Sequence, residues 1–253
     1  MSKIKRAEGR AVDGLRPMEA KVGVVPSADG SAMFKIGKTI AIASVRGPRK
    51  LHPKFLQNPE QGRLRCFYNM VSFSGSGDRV RPGPNRRTKE INLVMESALA
   101  PALNLKQFPN CAIDVFINLV QTDAGTRCAA ITAAAMALAD AGFEMKDMVA
   151  AVAVGMSGGN VIADLDYIED SAEDGVDIPI AMMPNEGKIT LLQLDGKIAP
   201  KSLDEALKLA KVVCKKIYDV QRKALADHYT IADEPTKKVT KKATKKAKKE
   251  AKK

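Results

Sequence analysis

The sequence predicts an α+β fold of two halves, each a pair of strands beside a helix, followed by a basic C-terminal tail. Three observations carry this. Residues 111–120 set Ile113, Val115, Ile117 and Leu119 against Asp114 and Asn118, the two-residue period of a strand buried on one face. Residues 126–140 are Ala-rich and almost wholly apolar, as a helix buried all round requires. Strand pairs precede a helix twice along the chain, whereas a doubly wound parallel sheet alternates single strands with helices. With 253 residues, 45% of them hydrophobic, the chain is long enough to bury a core and too apolar for wholesale disorder. One folded domain is expected over 1–232 and a Lys-rich disordered tail over 233–253. Of the net charge of +12, +9 falls within 236–253, so the body is nearly neutral.

Taken in order, residues 1–30 are charged and Gly-rich and read as an irregular arm. Residues 33–45 read as two strands around Gly37-Lys38, a two-residue turn with Gly first, as a type II′ hairpin prefers. Three prolines make 46–60 a loop, 62–73 is a strand candidate, and 74–85 is a flexible loop. Ile91, Val94, Met95, Ala98 and Leu99 mark a helix from Thr88, disturbed by Pro101. The Ala-rich helix ends at Ala141-Gly142. Residues 149–154 and 161–166 form a second hairpin around a Gly-rich turn, and 178–183 and 188–194 are strands. Ser202 to Glu205 read as a capping box opening a last helix that runs to about His228.

Composition excludes several function classes. The two histidines, His52 and His228, cannot build a multi-His metal site. Cys66, Cys111, Cys128 and Cys214 have no C-x-x-C spacing, the start has no apolar signal region, and the longest apolar run is about half a membrane span. The expected setting is soluble and cytoplasmic. With no Trp and 4% aromatics there is no broad base-stacking platform.

Three stretches can carry chemistry. Arg86-Arg87 stand directly before a helix, where the macrodipole repels cations. They read either as a phosphate or nucleic-acid backbone site or as a solvated pair at a loop edge. Asp123-Ala124-Gly125-Thr126-Arg127 joins a strand to the buried helix and reads as a compact oxyanion cradle or as an ordinary N-cap turn. It is not a P-loop. The acidic run 164–177 gathers carboxylates that can move a proton or hold a divalent ion, or that merely form a solvated loop. Together these features suggest phosphoryl transfer on a polyanion without a nucleotide-binding loop.

At these residues the sequence resembles the RNase PH family, and within it the catalytic RNase PH-like subunits of archaeal exosomes. The resemblance spans about 6–228. The arm RAEGRAVDGLRPM, the pair Ala28-Asp29-Gly30-Ser31-Ala32 and Gly37-Lys38-Thr39, the segment RGPRKLHP at 46–53, Asn85-Arg86-Arg87, 123–127, DLDYIED at 164–170 and IPIAMMP at 178–184 follow one another in the family's order. The segment 46–53 is similar to the exosome branch.

The resemblance implies an RNase PH-like fold and 3′-to-5′ phosphorolysis of RNA, with inorganic phosphate as co-substrate and nucleoside diphosphates as product, and room for reverse 3′ tailing. It implies that Gly125, Thr126 and Arg127 bind the attacking phosphate, and that Arg86 and Arg87 grip the RNA 3′ end. Asp170 is the implied general acid, with Asp177 beside it, directly or through Mg2+. Arg49, His52, Lys54 and Tyr68 are implied contacts to upstream RNA. Asp177 follows Asp170 one position later than the family's usual spacing, so either the loop bulges or Asp174 shares the role. Relatives act in a hexameric ring alternating with a related non-catalytic RNase PH-like subunit, under a cap of RNA-binding proteins. Two other readings compete: a stand-alone RNase PH trimming tRNA 3′ ends, and a catalytically silent ring subunit that binds RNA.

Overall fold

The computed structural model describes residue 6 and residues 9–75, 77, 79–81, 83–172 and 175–232. The tail expected over 233–253 lies outside the described residues, as does Asp174. Nine strands and four α-helices are found among the described residues. The first sheet holds β1 (Met18–Val22), β2 (Gly30–Ile36), β3 (Thr39–Lys50), β4 (Arg63–Met70) and β5 (Cys111–Gln121), in the order β1-β2-β3-β5-β4. Only β4 and β5 run parallel, with α1 (Arg86–Leu99) in the crossover between them. The second sheet is antiparallel, in the order β7-β6-β8-β9, from β6 (Ala150–Ser157), β7 (Asn160–Ala163), β8 (Val176–Met183) and β9 (Lys188–Leu192).

The Ala-rich helix α2 (Thr126–Asp140) lies between the sheets, touching β2 and β3 of one and β6 of the other. Nearly all of its residues are buried. Alanine is suited to this place because a helix flanked on two sides needs small side chains all round. Gly30 on β2 meets the backbone of Ala137 and Ala141 at the end of α2, where any Cβ would collide. The long helix α4 (Pro200–Ala232) covers β6, β7 and β1. Its stripe Ala206, Ala210, Val213, Cys214 and Ile217 is buried. No described helix is long and apolar enough to cross a membrane.

The α+β class and most elements stand as expected, with these corrections. The arm contains β1, an edge strand whose Glu19 and Lys21 face water. Three half-buried apolar positions in five residues are too few to show a period, and pairing with β2 makes the strand. β3 does not stop at Val45 but continues to Lys50, past an irregularity between Arg46 and Arg49 where Gly47 takes φ +137. β6 runs through Ser157, so the second hairpin turns on Gly158-Gly159 alone, both at positive φ. α1 starts at Arg86, because Asn85 caps it: the Asn85 side chain accepts from the Thr88 N–H at 2.8 Å and Thr88 Oγ1 accepts from the Asn85 N–H at 2.8 Å. α4 opens on Pro200, not on a box at Ser202, since proline at the first position is already set to helical φ. The acidic run contains a single-turn helix, α3 (Tyr167–Asp170).

Candidate active site

The two sheets and α2 leave a cleft of about 470 Å3 between the end of β5, the start of α2, the end of α3 and the start of β8. Its floor is 123–127. Gly125 sits at φ +68, the left-handed region, which turns the chain from strand into helix. Space around a Cβ there is ordinary, so it is the backbone angle that favours glycine. Thr126 and Arg127 open α2, whose first turn has no acidic residue to meet the exposed amides and dipole. Arg127 Nη1 donates to Gln193 Oε1 at 2.6 Å, which fixes its guanidinium at the cleft wall.

The loop is anchored from below. Thr39 Oγ1 donates to the Ala124 carbonyl at 3.0 Å and accepts from the Asp123 N–H at 3.1 Å. Arg16 is buried and joins both halves of the site. Its guanidinium donates to both Asp164 oxygens at 2.9 and 2.7 Å, to the Ala124 carbonyl at 3.3 Å and to Asp123 at 3.3 Å. Asp164 is 2% exposed and sits at φ +56, a strained angle for a non-glycine residue, stabilised by three donors from Arg16.

The acidic run therefore divides by task. Asp164 pairs with Arg16. Asp166 caps α3 through the N–H groups of Ile168 and Glu169. Glu169 takes a two-pronged bond from the buried Arg6 at 2.8 and 2.9 Å. Among the described residues of this run, only Asp170 and Asp177 line the cleft, and Asp195 joins them there. Burial pushes the Asp177 carboxyl up to about 6, with Asp170 and Asp195 adding to the rise and Arg127 opposing it. Asp170 is also raised, first by burial and then by Asp195, against the pull of Arg127 and Arg87. Asp177 Oδ1 is buried without a hydrogen-bond partner among the described residues, an unused acceptor on a residue that lines the cleft.

Arg87, Gly125, Thr126, Arg127, Asp170 and Asp177 thus meet in one cleft. Arg86 stands beside Arg87 at the exposed start of α1 but does not line it. Arg49, at the end of β3, and His52 and Lys54, around the following turn, are exposed and outside it. Tyr68 is a correction: it is buried on β4, its hydroxyl makes no hydrogen bond among the described residues, and burial raises its phenol against the opposing pull of Arg87 and Arg127. Alternation along β4 turns it inward, behind the cleft, where it is not available to solution. Sequence reasoning missed Asp195, Gln193 and Arg16. Asp195 reaches the site through backbone pairing with Asp177, at 2.8 and 3.0 Å, and no local pattern marks it. Arg16 carried a signal, a lone cation amid the DGLRP turn, but its partners lie far along the chain.

No group of three or more His, Cys, Asp or Glu side chains among the described residues gathers closely enough to cage a metal ion. Mg2+ does not need one, since it is commonly held by one or two carboxylates together with substrate phosphates. Asp170 and Asp177, with the unused Oδ1 of Asp177, fit that kind of site.

Residues 14–144 match the 3′ exoribonuclease family RNase_PH, domain 1, and residues 147–213 match its domain 2. Arg16 and Asp164 therefore lie in different family domains. The Exosome complex component Rrp41 of Methanopyrus kandleri is 49% identical over 224 residues, covering 88% of this chain and 93% of the relative. That of Thermococcus kodakarensis is 49% identical over 225 residues, covering 89% and 90%. A crystal structure of rice (Oryza sativa) Rrp46 superposes with a TM-score of 0.78 at 23% identity, over 87% of this chain and 100% of that one, and so shares the fold. With both family domains matched in order and near half-identity to these relatives over most of its length, the chain belongs to the RNase PH family of 3′ exoribonucleases.

Proposed function

We propose that this chain is the catalytic subunit of an exosome-type ring and degrades RNA from its 3′ end by phosphorolysis. The observation that supports this reading best is the convergence of Arg87, the 125–127 loop, Asp170 and Asp177 on one cleft. Inorganic phosphate sits on the amides of Gly125 and Thr126 at the start of α2, with Arg127 neutralising it. Arg87, with Arg86 at the rim, holds the phosphates of the RNA 3′ end. An oxygen of the bound phosphate attacks the last phosphodiester. The bond to the 3′ oxygen of the preceding nucleotide breaks, and a nucleoside diphosphate departs.

The leaving oxygen needs a proton. Burial raises the proton affinity of both carboxyls, and Asp170 adds to the rise at Asp177, so the site retains a proton at a pH where an ordinary carboxyl is ionised. Asp170, less buried and on the turn of α3, faces the leaving oxygen as general acid, and Asp177 behind it keeps the pair charged with its proton. Mg2+, held by the same carboxylates, would supply charge neutralisation on the phosphates. Contacts to phosphates rather than bases make binding nearly independent of sequence and sensitive to salt. Arg49, His52 and Lys54, exposed beyond the cleft, serve longer RNA upstream. That relatives are named components of an exosome complex supports a partnered state; the partners proposed are a related non-catalytic ring subunit and an RNA-binding cap.

The test uses the native complex and the isolated chain, each given end-labelled oligo(A) RNA with and without phosphate. ADP formed only with phosphate, and lost in Asp170→Asn, supports the proposal. Equal activity of the isolated chain points to a stand-alone RNase PH. AMP, or no product, points to a hydrolase or a silent subunit and overturns it.

A further inference from the structure

The first sheet has one end at the cleft, where β4 stops at Met70 and β5 at Gln121. Its other end lies about 35 Å away along the 11 residues of β5. Arg49 and Lys50 on β3, Lys54 just beyond it and Arg63 on β4 stand exposed at that far end. Arg46 there pairs with Asp29 at 3.7 Å, while the other four make no ion pair among the described residues. Phe55, next to Lys54, is 83% exposed. Cations around an open ring are what single-stranded nucleic acid uses without being read for sequence. α4 finishes at the same end. His228 stands against Gly23, just after β1, and the Tyr229 hydroxyl donates to the Asp140 carbonyl at 3.1 Å, at the end of α2 remote from the cleft. The chain beyond Ala232 therefore starts from the far end. Residues 236–253 hold ten lysines against Glu250 alone, with no aromatic residue and no apolar one larger than Val239. Such a segment has charge to offer and no surface to bury in a protein groove or a bilayer. From β1 it is two strands to β3 and four to β4, about 10 and 19 Å. Residues 233–253 can extend at most about 70 Å, so the whole far end lies within their covalent reach. Two groups of cations brought to one end repel each other, and a polyanion between them reverses the sign.

We propose that 236–253 is a second RNA-binding segment, which holds phosphates of the substrate upstream, at the far end of the first sheet. The inference rests on the reading that the cleft takes the RNA 3′ end. An RNA long enough to reach both places is then held twice. The second contact comes from a tethered segment, so it forms at a high effective concentration and adds more than the same lysines would free in solution. Because lysines meet phosphates, it adds affinity without sequence preference and weakens steeply with salt. An RNA that only fills the cleft gains nothing from it. The segment therefore favours long RNA over short remnants.

Fluorescence anisotropy on the native complex tests this in phosphate-free buffer, with labelled oligo(A) of about 4 and about 30 nucleotides, the lower end of a single-strand site and well beyond it. Two full-length variants are set against wild type: Lys→Gln at all ten lysines of 236–253, and Lys→Arg at the same positions. The expected result is that Lys→Gln weakens the long RNA by about tenfold or more at about 0.1 M salt. The slope of log binding constant against log salt becomes shallower by about 1.4 or more, the release of two phosphates. Short RNA stays within about twofold, and Lys→Arg keeps the long RNA within about threefold, because charge is what the segment supplies. Unchanged long-RNA binding in Lys→Gln overturns the inference and leaves the reading of the cleft intact. Equal weakening of both RNAs also overturns it, because the segment would then act at the cleft. Binding to phosphatidylserine vesicles that falls in Lys→Gln, with long RNA unchanged, makes the segment a membrane contact and overturns it too. Wild type that binds neither RNA refutes the reading of the cleft, and this inference with it.

Discussion

Asp177→Asn is expected to make the protein more stable at neutral pH and nearly inactive. In the native state, burial, Asp170 and Asp195 raise the Asp177 carboxyl from an ordinary 3.8 to about 6. At a pH above both values, holding that group ionised costs about 3 kcal/mol at most. The sign follows from proton binding. Between about pH 4 and 6 the native state binds this proton more tightly than the unfolded chain does. The Asp177 contribution is therefore complete below pH 4, is lost as pH rises through 6, and stays absent above. Asparagine keeps the shape and has no charge to bury, so it loses nothing over the window. The variant and wild type are expected to be equally stable near pH 4. At pH 8 the variant is ahead by up to about 3 kcal/mol, on the order of 6–12 °C in Tm for a chain of this size. Thermal unfolding of the two proteins in matched buffers, read as a difference at each pH, reports Asp177 together with its coupling to Asp170 and cancels the groups remote from it. A difference that is flat from pH 4 to 8, or a variant that is less stable at pH 8, refutes the burial argument. Activity should fall by at least about 100-fold, since the amide cannot help retain the proton the leaving oxygen requires.

Three further outcomes follow from the same geometry. Arg16→Ala removes the closest partner of the buried Asp164 carboxylate, leaving it Arg10 at 3.6 Å, and strips a donor from the Ala124 carbonyl, so a loss of about 3 kcal/mol is expected in urea unfolding, against a smaller loss for Arg16→Ala combined with Asp164→Asn. Arg127→Lys keeps the charge but loses the planar fork that Gln193 orients, and steady-state kinetics should show KM for phosphate rising about tenfold or more with KM for RNA little changed. Arg86→Ala with Arg87→Ala removes two phosphate contacts, and the slope of log binding constant against log salt for single-stranded RNA should become shallower by about 1.4.

Much of the fold was legible because its main elements carry their own periods. The alternation of β5 and the all-apolar α2 each declare a buried face, and short turns such as Gly37-Lys38 and Ala141-Gly142 punctuate them. β1 and α3 were not legible, since five and four residues are too few to establish a period, and each exists by virtue of partners distant in the chain: β2 for the first, Arg6 through Glu169 for the second. Three of the candidate stretches, at 86–87, 123–127 and 164–177, could be chosen from charge, glycine and position before a helix. Composition alone could not divide their labour.

That division needed the packed structure. Asp164, Asp166, Glu169 and Asp170 are all acidic residues within seven positions, and nothing local separates them. Burial and partners do: Asp164 is neutralised by Arg16, Asp166 caps a turn, Glu169 is held by Arg6, and Asp170 is left facing Arg127 across the cleft. Asp195 enters the site only because β8 pairs its backbone with that of Asp177. A residue type announces what chemistry a side chain can do. Whether its charge is spent on the fold or kept for a ligand depends on which opposite charges and how much water lie within a few ångströms, and distances of that kind between remote segments are set only when the chain closes on itself.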